Sequence, residues 1–218
     1  NFLVEYPTVL SGEFNKEYLK LPSPVLTEVM GHHQRYFPVV DTNDELMPCF
    51  ITICNGKRTD LKAIKRGNEK VLAARLADAK FFFDEDAREP LESYVPKLNG
   101  LVFQQGLGTM LDKTRRIEKI VCQLADALNV VPDVQQIALR AAKLSKADLV
   151  TKMVVELPVL QGVIGSEYAK KSGESESVAE AIRGHYTARD PAQIPSVSVS
   201  ANLVELADCA DTLCTCFD

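Results

Sequence analysis

Lys143-Leu-Ser-Lys-Ala-Asp-Leu-Val-Thr-Lys-Met-Val-Val-Glu-Leu-Pro-Val-Leu-Gln-Gly162 decides how the second half of this chain is read. Its apolar residues are Leu144, Ala147, Leu149/Val150, Met153/Val154 and Leu157. That three-to-four spacing predicts one buried helical face. The helix is expected to begin at Asp133, run through the stretch and kink or break at Pro158. Upstream, Thr109 followed by Asp112 predicts a capping box and a helix with Leu111, Ile117, Ile120/Val121, Leu124 and Leu128 inward. Downstream, 173–186 and 202–213 read as two more helices around a Pro/Ser loop from Ala188 to Ser200. Residues 97–218 are therefore expected to be all-α.

Residues 1–96 read differently, as an α/β module. Phe2-Leu-Val-Glu-Tyr6 is β-prone and stops at Pro7. Ser23 is expected to cap a helix with Pro24 at its first position, ending near Gly31. Tyr36–Val40 and Pro48–Cys54 read as strands flanking an Asp41–Glu45 turn, a hairpin closed by Asn55-Gly56. Residues 57–86 read as a helix with Ile64, Val71/Leu72, Leu76 and Ala79 inward. Phe81-Phe-Phe83 should end that helix as an apolar plug packing the two halves together. Asp84-Glu-Asp86 should form an acidic turn; those charges oppose the helix dipole, so a separate helix or a partner is expected there. The whole chain is thus expected to be α+β.

The totals exclude several classes. With 218 residues, 46% hydrophobic and 25% charged, the chain supports one large or two small domains with a real core. No apolar run approaches a membrane span and no signal peptide opens it. It starts and stops mid-pattern, as a piece of a longer protein would. None of the six cysteines has Cys-x-x-Cys spacing, so buried free thiols in a reducing, cytoplasmic setting are expected. Net charge is −5, which excludes a wholly basic nucleic-acid binder. Between Lys57 and Lys80, however, eight Lys/Arg face three acids, leaving −10 for the rest. That local excess suits either a phosphate backbone or a solvated mixed-charge helix face. His32-His33 suits a helix end better than a shared metal, since adjacent side chains on a helix diverge by about 100°.

Ala141-Ala142-Lys143-Leu144 is similar to the buried helix of the HD phosphohydrolase fold, which continues into a metal-binding His-Asp pair. Here Ser145-Lys146 follows. The fold's earlier His would fall near Thr114 or Arg115, and His185 and Asp208 stand at plausible late positions. Serine is a poor divalent ligand and an ammonium repels a cation. A degenerate HD-like domain without metal is expected, with a living metal-dependent phosphohydrolase as the alternative. GxxxxGK[ST], GxGxxG and GxSxG are all absent from the sequence.

His33-Gln-Arg-Tyr-Phe-Pro38, Pro48-Cys-Phe-Ile-Thr-Ile, and Gly67-Asn-Glu-Lys-Val-Leu-Ala-Ala-Arg-Leu-Ala-Asp-Ala-Lys-Phe-Phe-Phe83 occur in order. They are followed by Phe103-x4-Gly108-Thr-Met-Leu-Asp-Lys113, Lys146-Ala-Asp-Leu-Val-Thr151 and Glu156-x3-Leu-Gln-Gly162. Glu180-Ala-Ile-x-x-His-Tyr186 and Leu206-Ala-Asp-x-x-Asp-Thr-Leu213 complete the series. Together they resemble the beta subunit of bacterial-type glycyl-tRNA synthetase, over essentially the whole chain. The chain departs from the family's usual pattern at Thr187–Pro195 and at Cys209-Ala210.

The resemblance implies a middle portion of that subunit: a synthetase beta-chain α/β module at 1–96, then the HD-like helical domain at 97–218. It implies a heterotetramer of two alpha and two beta chains that charges tRNA(Gly) with glycine. ATP and Mg are used through the alpha chain, so this portion needs no cofactor and is expected to be inactive alone. If the chain supports tRNA, its basic residues Lys57, Arg58, Lys62, Lys65, Arg66, Lys70, Arg75, Lys113, Arg115 and Arg116 are the expected phosphate contacts. No catalytic residue and no metal are expected in this portion. A pure subunit-docking scaffold is the other alternative.

Overall fold

The computed structural model describes residues 6–55, 60–187 and 197–216, without the side chains of His33 and Cys216. The chain forms two compact units, Asn1–Glu85 and Asp86–Asp218. The architecture is α+β: a small sheet in the first unit and helices throughout the second.

In the first unit, β1 (Pro7–Glu13) and β2 (Phe37–Val40) flank β3 (Leu46–Asn55) in one antiparallel sheet of order β1-β3-β2. The hairpin turn between β2 and β3 forms where expected, since the Asp41 carboxylate accepts N–H bonds from Asn43 and Glu45 at 2.8 and 3.0 Å. Residues 2–5 of the strand expected at 2–6 lie outside the described residues. Strand β1 begins at Pro7, which is tolerated as the first residue of an edge strand. Its register sets Gly12 opposite Phe50. A Cβ on Gly12 would lie 2.3 Å from the Phe50 ring, so only glycine lets that ring pack into the core. Phe50 stacks on Tyr36 at 4.6 Å.

The short α1 (Ser23–Glu28) passes directly into a π turn, Val29–His33; its capping position is Pro22, not Ser23. The long α2 runs Leu61–Asp86. Its buried stripe is Leu72, Leu76, Ala79 and Phe83, whereas Ile64 and Val71, expected inside, are exposed. Phe81 is exposed as well, so the Phe81–Phe83 triplet is not a uniform plug. The helix also does not stop at Phe83. It continues through the acidic residues, and Lys80 pairs with Asp84 on its surface.

The second unit opens with a 3-10 segment, Leu91–Gly100, packed against α3 (Met110–Ala127) and a 3-10 turn at Ala147–Val150. A boundary at 96/97 would cut that segment. Arg140 and Lys143 reach Glu92 at 2.8 and 2.6 Å, and their hydrogen bonds pull its carboxyl down to about 2. The other helices are α4 (Pro132–Leu144), α5 (Lys152–Glu156), α6 (Val163–Lys171), α7 (Glu176–Thr187) and α8 (Val199–Cys216). The centre of the unit is built from small residues. Ala138, Ala141, Ala142, Ala179, Ala181, Ala201 and Ala207 are all fully buried, which lets the α3, α4, α7 and α8 backbones approach closely. Where α7 meets α8, a Cβ on Gly184 would come within 2.9 Å of Ala201.

The capping box at α3 forms as read, with the Thr109 hydroxyl accepting from Asp112 N–H and the Asp112 carboxylate accepting from Thr109 N–H at 2.9 Å. Thr109→Ala is expected to cost about 1 kcal/mol, measured as a lower urea midpoint. The cysteines depart from expectation. Cys49, Cys54 and Cys122 are only half-buried, and Cys209 and Cys214 lie on the surface, all as free thiols.

Candidate functional site

The stretch 143–162 is not the single helix its periodicity suggests. Helix α4 ends at Leu144, thirteen residues before the expected break at Leu157/Pro158. Polar side chains end it by bonding to nearby backbone. The Ser145 hydroxyl donates to Ala142 O at 2.9 Å and the Thr151 hydroxyl donates to Asp148 O at 2.7 Å, while Thr151 caps α5. Asp148 lies fully buried in the turn, and its Oδ2 accepts N–H bonds from Gly162 at 2.6 Å and Gly165 at 3.0 Å. It thereby caps α6 across the fold. Burial pushes the Asp148 carboxyl up to about 6, against the lowering pull of those two N–H groups. Gly162 is held at φ +78, and a Cβ there would lie 2.2 Å from the Tyr186 ring.

The break aims Lys146 inward, where it is 3% exposed. Its ammonium lies 2.8 Å from Asp208 Oδ2, 3.1 Å from His185 Nε2 and 3.3 Å from the Tyr186 hydroxyl. An ammonium only donates, so His185 Nε2 must accept. The imidazole is therefore neutral, with Nδ1–H donating to Ile182 O at 2.6 Å. Lys113, from α3, meets the same Asp208 at 2.8 Å through Oδ1 and meets Asp211 at 3.1 Å. Arg116 closes the cluster on both Asp211 oxygens. Burial alone would raise Asp208, but the ammonium groups of Lys146 and Lys113 outweigh it and hold its carboxyl far below the usual range. Asp211 is likewise lowered: burial opposes, and Arg116 and Lys113 prevail. The cluster ties the end of α4 to α3, α7 and α8 with three cations and two carboxylates.

The residues named from sequence therefore separate into groups. Lys146, His185 and Asp208 do converge, but around an ammonium, while the Ser145 hydroxyl turns back to Ala142 O. Thr114 spends its hydroxyl on Met110 O at 2.8 Å. Among the described residues, no group of three or more His, Cys, Asp or Glu is placed to hold a metal ion. Lys113 is not available to a phosphate as expected, because it is 4% exposed and held by two aspartates. Arg116 is engaged by Asp211, whereas Arg115 is exposed beside Asp112. Lys57 and Arg58 lie outside the described residues, as does the 188–196 part of the departing loop.

On α2, Lys62, Arg66 and Lys70 are exposed along one strip, four residues apart. Lys65 borders that strip and pairs with Glu69 at 3.6 Å. Arg75 points some 140° or more from each member of the strip by the helical step and does not join it. Arg66 and Lys70 line a groove of about 460 Å³ with Glu13, Phe14, Asn15, Glu69 and Ala73.

Asp86, Asp148 and Asp211 were not singled out from sequence. Asp86, read as part of an acidic turn, is buried and accepts from Lys152 N at 3.1 Å, Met153 N at 2.9 Å and the Tyr168 hydroxyl at 3.3 Å. A separate helix, α5, does meet one of the three acidic residues, Asp86. For Asp211, the available signal was its spacing from Asp208, which puts both acids on one face of α8.

The family model for the glycyl-tRNA synthetase beta subunit matches residues 1–218. The chain belongs to that family. It is 50% identical over 216 residues to the glycine–tRNA ligase beta subunit of Moorella thermoacetica, covering 99% of this chain and 31% of that protein. It is 46% identical over 218 residues to the Bacillus subtilis beta subunit, covering all of this chain and 32% of that one. The Trichodesmium erythraeum beta subunit is 47% identical, with 99% and 31% covered. This chain thus spans about a third of the length of the glycine–tRNA ligase beta subunits it matches. No helix among the described residues of this beta-subunit chain is long and apolar enough to cross a membrane.

Proposed function

We propose that this chain is a tRNA-supporting portion of a glycine–tRNA ligase beta subunit, acting with an alpha subunit that carries the ATP- and Mg-dependent chemistry. In this proposal two alpha and two beta chains assemble in the cytoplasm and charge tRNA(Gly) with glycine. This portion contributes binding surface and no catalytic group. The observation that carries the proposal is the family match along the whole chain. The exposed Lys62–Arg66–Lys70 strip supports it, being a local positive surface on an otherwise acidic chain.

The second unit fits a degenerate HD-like domain. At the positions an HD centre would use, Lys146 stands with its ammonium against the Asp208 carboxylate and the His185 imidazole. Those residues do not fit a divalent ion, because the protein's own cation already meets the available ligands. Nothing in this geometry favours phosphohydrolase chemistry.

Charge reversal of the strip tests the tRNA role. In the complete alpha–beta enzyme, K62E/R66E/K70E is expected to lower tRNA affinity and to flatten the salt dependence by roughly 0.9 in log–log slope per lost contact. Filter binding at several salt concentrations reads both quantities. One observation supports the docking alternative: the open sheet face presents Val9, Phe37, Ile51 and Ile53, with Val9 beside Ile53 and Phe37 beside Ile51. If docking is the whole role of this portion, the triple variant leaves tRNA affinity and slope unchanged.

A further inference from the structure

We infer that the groove beside α2 is a binding site for an unpaired RNA strand, with one nucleotide seated between Arg66, Lys70 and Asn15. This deepens the tRNA-supporting role and rests on it for the identity of the polymer. The groove, about 460 Å³, is of small-ligand size. It is shallow and open, and lies against a helix. In an RNA duplex the base edges are already paired, whereas an unpaired nucleotide can lay its phosphate, ribose and base edge along the groove together.

The charges in the groove are divided. Glu69, which lines the groove, is already engaged: its Oε1 accepts Glu13 N–H at 3.0 Å and faces Lys65 at 3.6 Å. Arg66 and Lys70 make no ion pair with any described residue and are exposed. They are the unspent cations of the groove, one helical turn apart. A phosphate belongs at their end. The exposed Glu13 carboxylate repels phosphate and accepts hydrogen bonds, so a ribose hydroxyl or a base amino group belongs at the other end, beside the Asn15 side chain. Asn15 Oδ1 is occupied by Glu17 N–H at 3.0 Å, which leaves its amide N–H groups to donate. Beyond the groove, Lys62 continues the row one turn further, about 6 Å along the axis by helical rise. A free mononucleotide cannot span that row, but neighbouring phosphates of one strand can. The site therefore takes a strand.

Fluorescence anisotropy tests this, using a labelled uridine octamer and a labelled RNA hairpin with a minimal loop against the 218-residue chain. We expect the octamer to bind roughly tenfold more tightly than the hairpin. R66E/K70E, with the milder R66Q/K70Q as a control for folding, is expected to abolish that preference and reduce the salt slope by about 1.4, or 0.7 per lost single-strand contact. Asn15→Ala is expected to weaken the octamer while leaving the slope unchanged. Equal binding of hairpin and octamer, an octamer affinity indifferent to R66Q/K70Q, or full competition by uridine monophosphate at octamer concentrations would each overturn the site. Failure of both RNAs to bind, together with unchanged tRNA affinity in the K62E/R66E/K70E enzyme, would instead remove the tRNA role itself.

Discussion

Lys146→Ala is expected to destabilise the chain by about 3–5 kcal/mol, the scale for removing one partner of a buried ion pair. The loss leaves His185 Nε2 without its 3.1 Å donor and the Asp208 Oδ2 without its 2.8 Å partner. It also removes the cation held 4.4 Å from the Tyr186 ring centre. The carboxylate would stay buried beside Lys113, which is shared with Asp211. Replacing both partners with apolar residues, K146M/D208L, is expected to recover most of the loss, since it removes the desolvated charges together. Urea denaturation of the wild type, the single variant and the pair measures this. A Lys146→Ala cost below about 1 kcal/mol, the scale of a surface pair, would mean the cluster does not hold the helices together.

Asp148→Asn is expected to change how stability depends on pH. The folded carboxyl is raised to about 6 from an ordinary 3.8. Between those values the folded chain binds more protons than the unfolded one, so stability falls as pH rises. The contribution is fully present below 3.8 and is lost as pH passes about 6, and the 2.2-unit difference corresponds to roughly 3 kcal/mol. Asparagine can accept the Gly162 and Gly165 N–H bonds through its carbonyl and does not titrate. Relative to the wild type, the variant should therefore gain up to roughly 3 kcal/mol between pH 4 and pH 7.5, measured as a difference in unfolding free energy. Asp208 works in a separate window. Its carboxyl is depressed, so its contribution is present above the ordinary carboxylate range and is lost only as pH falls further. A pH profile of Asp148→Asn parallel to that of the wild type would exclude Asp148 as the titrating group.

Much of the site was legible in the chain, with its meaning inverted. Ser145, Lys146, His185 and Asp208 are named together because a known pattern places metal ligands there, and the fold does bring the last three together. What the pattern could not supply was the role of Lys146. On paper an ammonium among ligands is a defect. In the folded unit it is the cation that Asp208 and His185 face. Lys113 and Arg115 show the opposite limit. They are close on one helix and both cationic, yet one is buried against two aspartates and the other is in solvent. Charge in a sequence does not say which way a side chain turns, and the partners that turned Lys113 lie more than ninety residues away.

By itself, the sequence determined the elements governed by short-range rules. The Asp41 turn, the Thr109 capping box, the helical second half and the family follow from neighbours a few residues apart or from ordered motifs. The tertiary structure alone decided where the 143–162 helix breaks and what its polar residues do. Periodicity counts apolar positions and is blind to distant backbone donors. Asp148 bonds N–H groups fourteen and seventeen residues away, and Lys146 finds Asp208 sixty-two residues on. Burying those groups unpaired would cost more than the helix gains by continuing, so the chain turns at Ser145 to pair them.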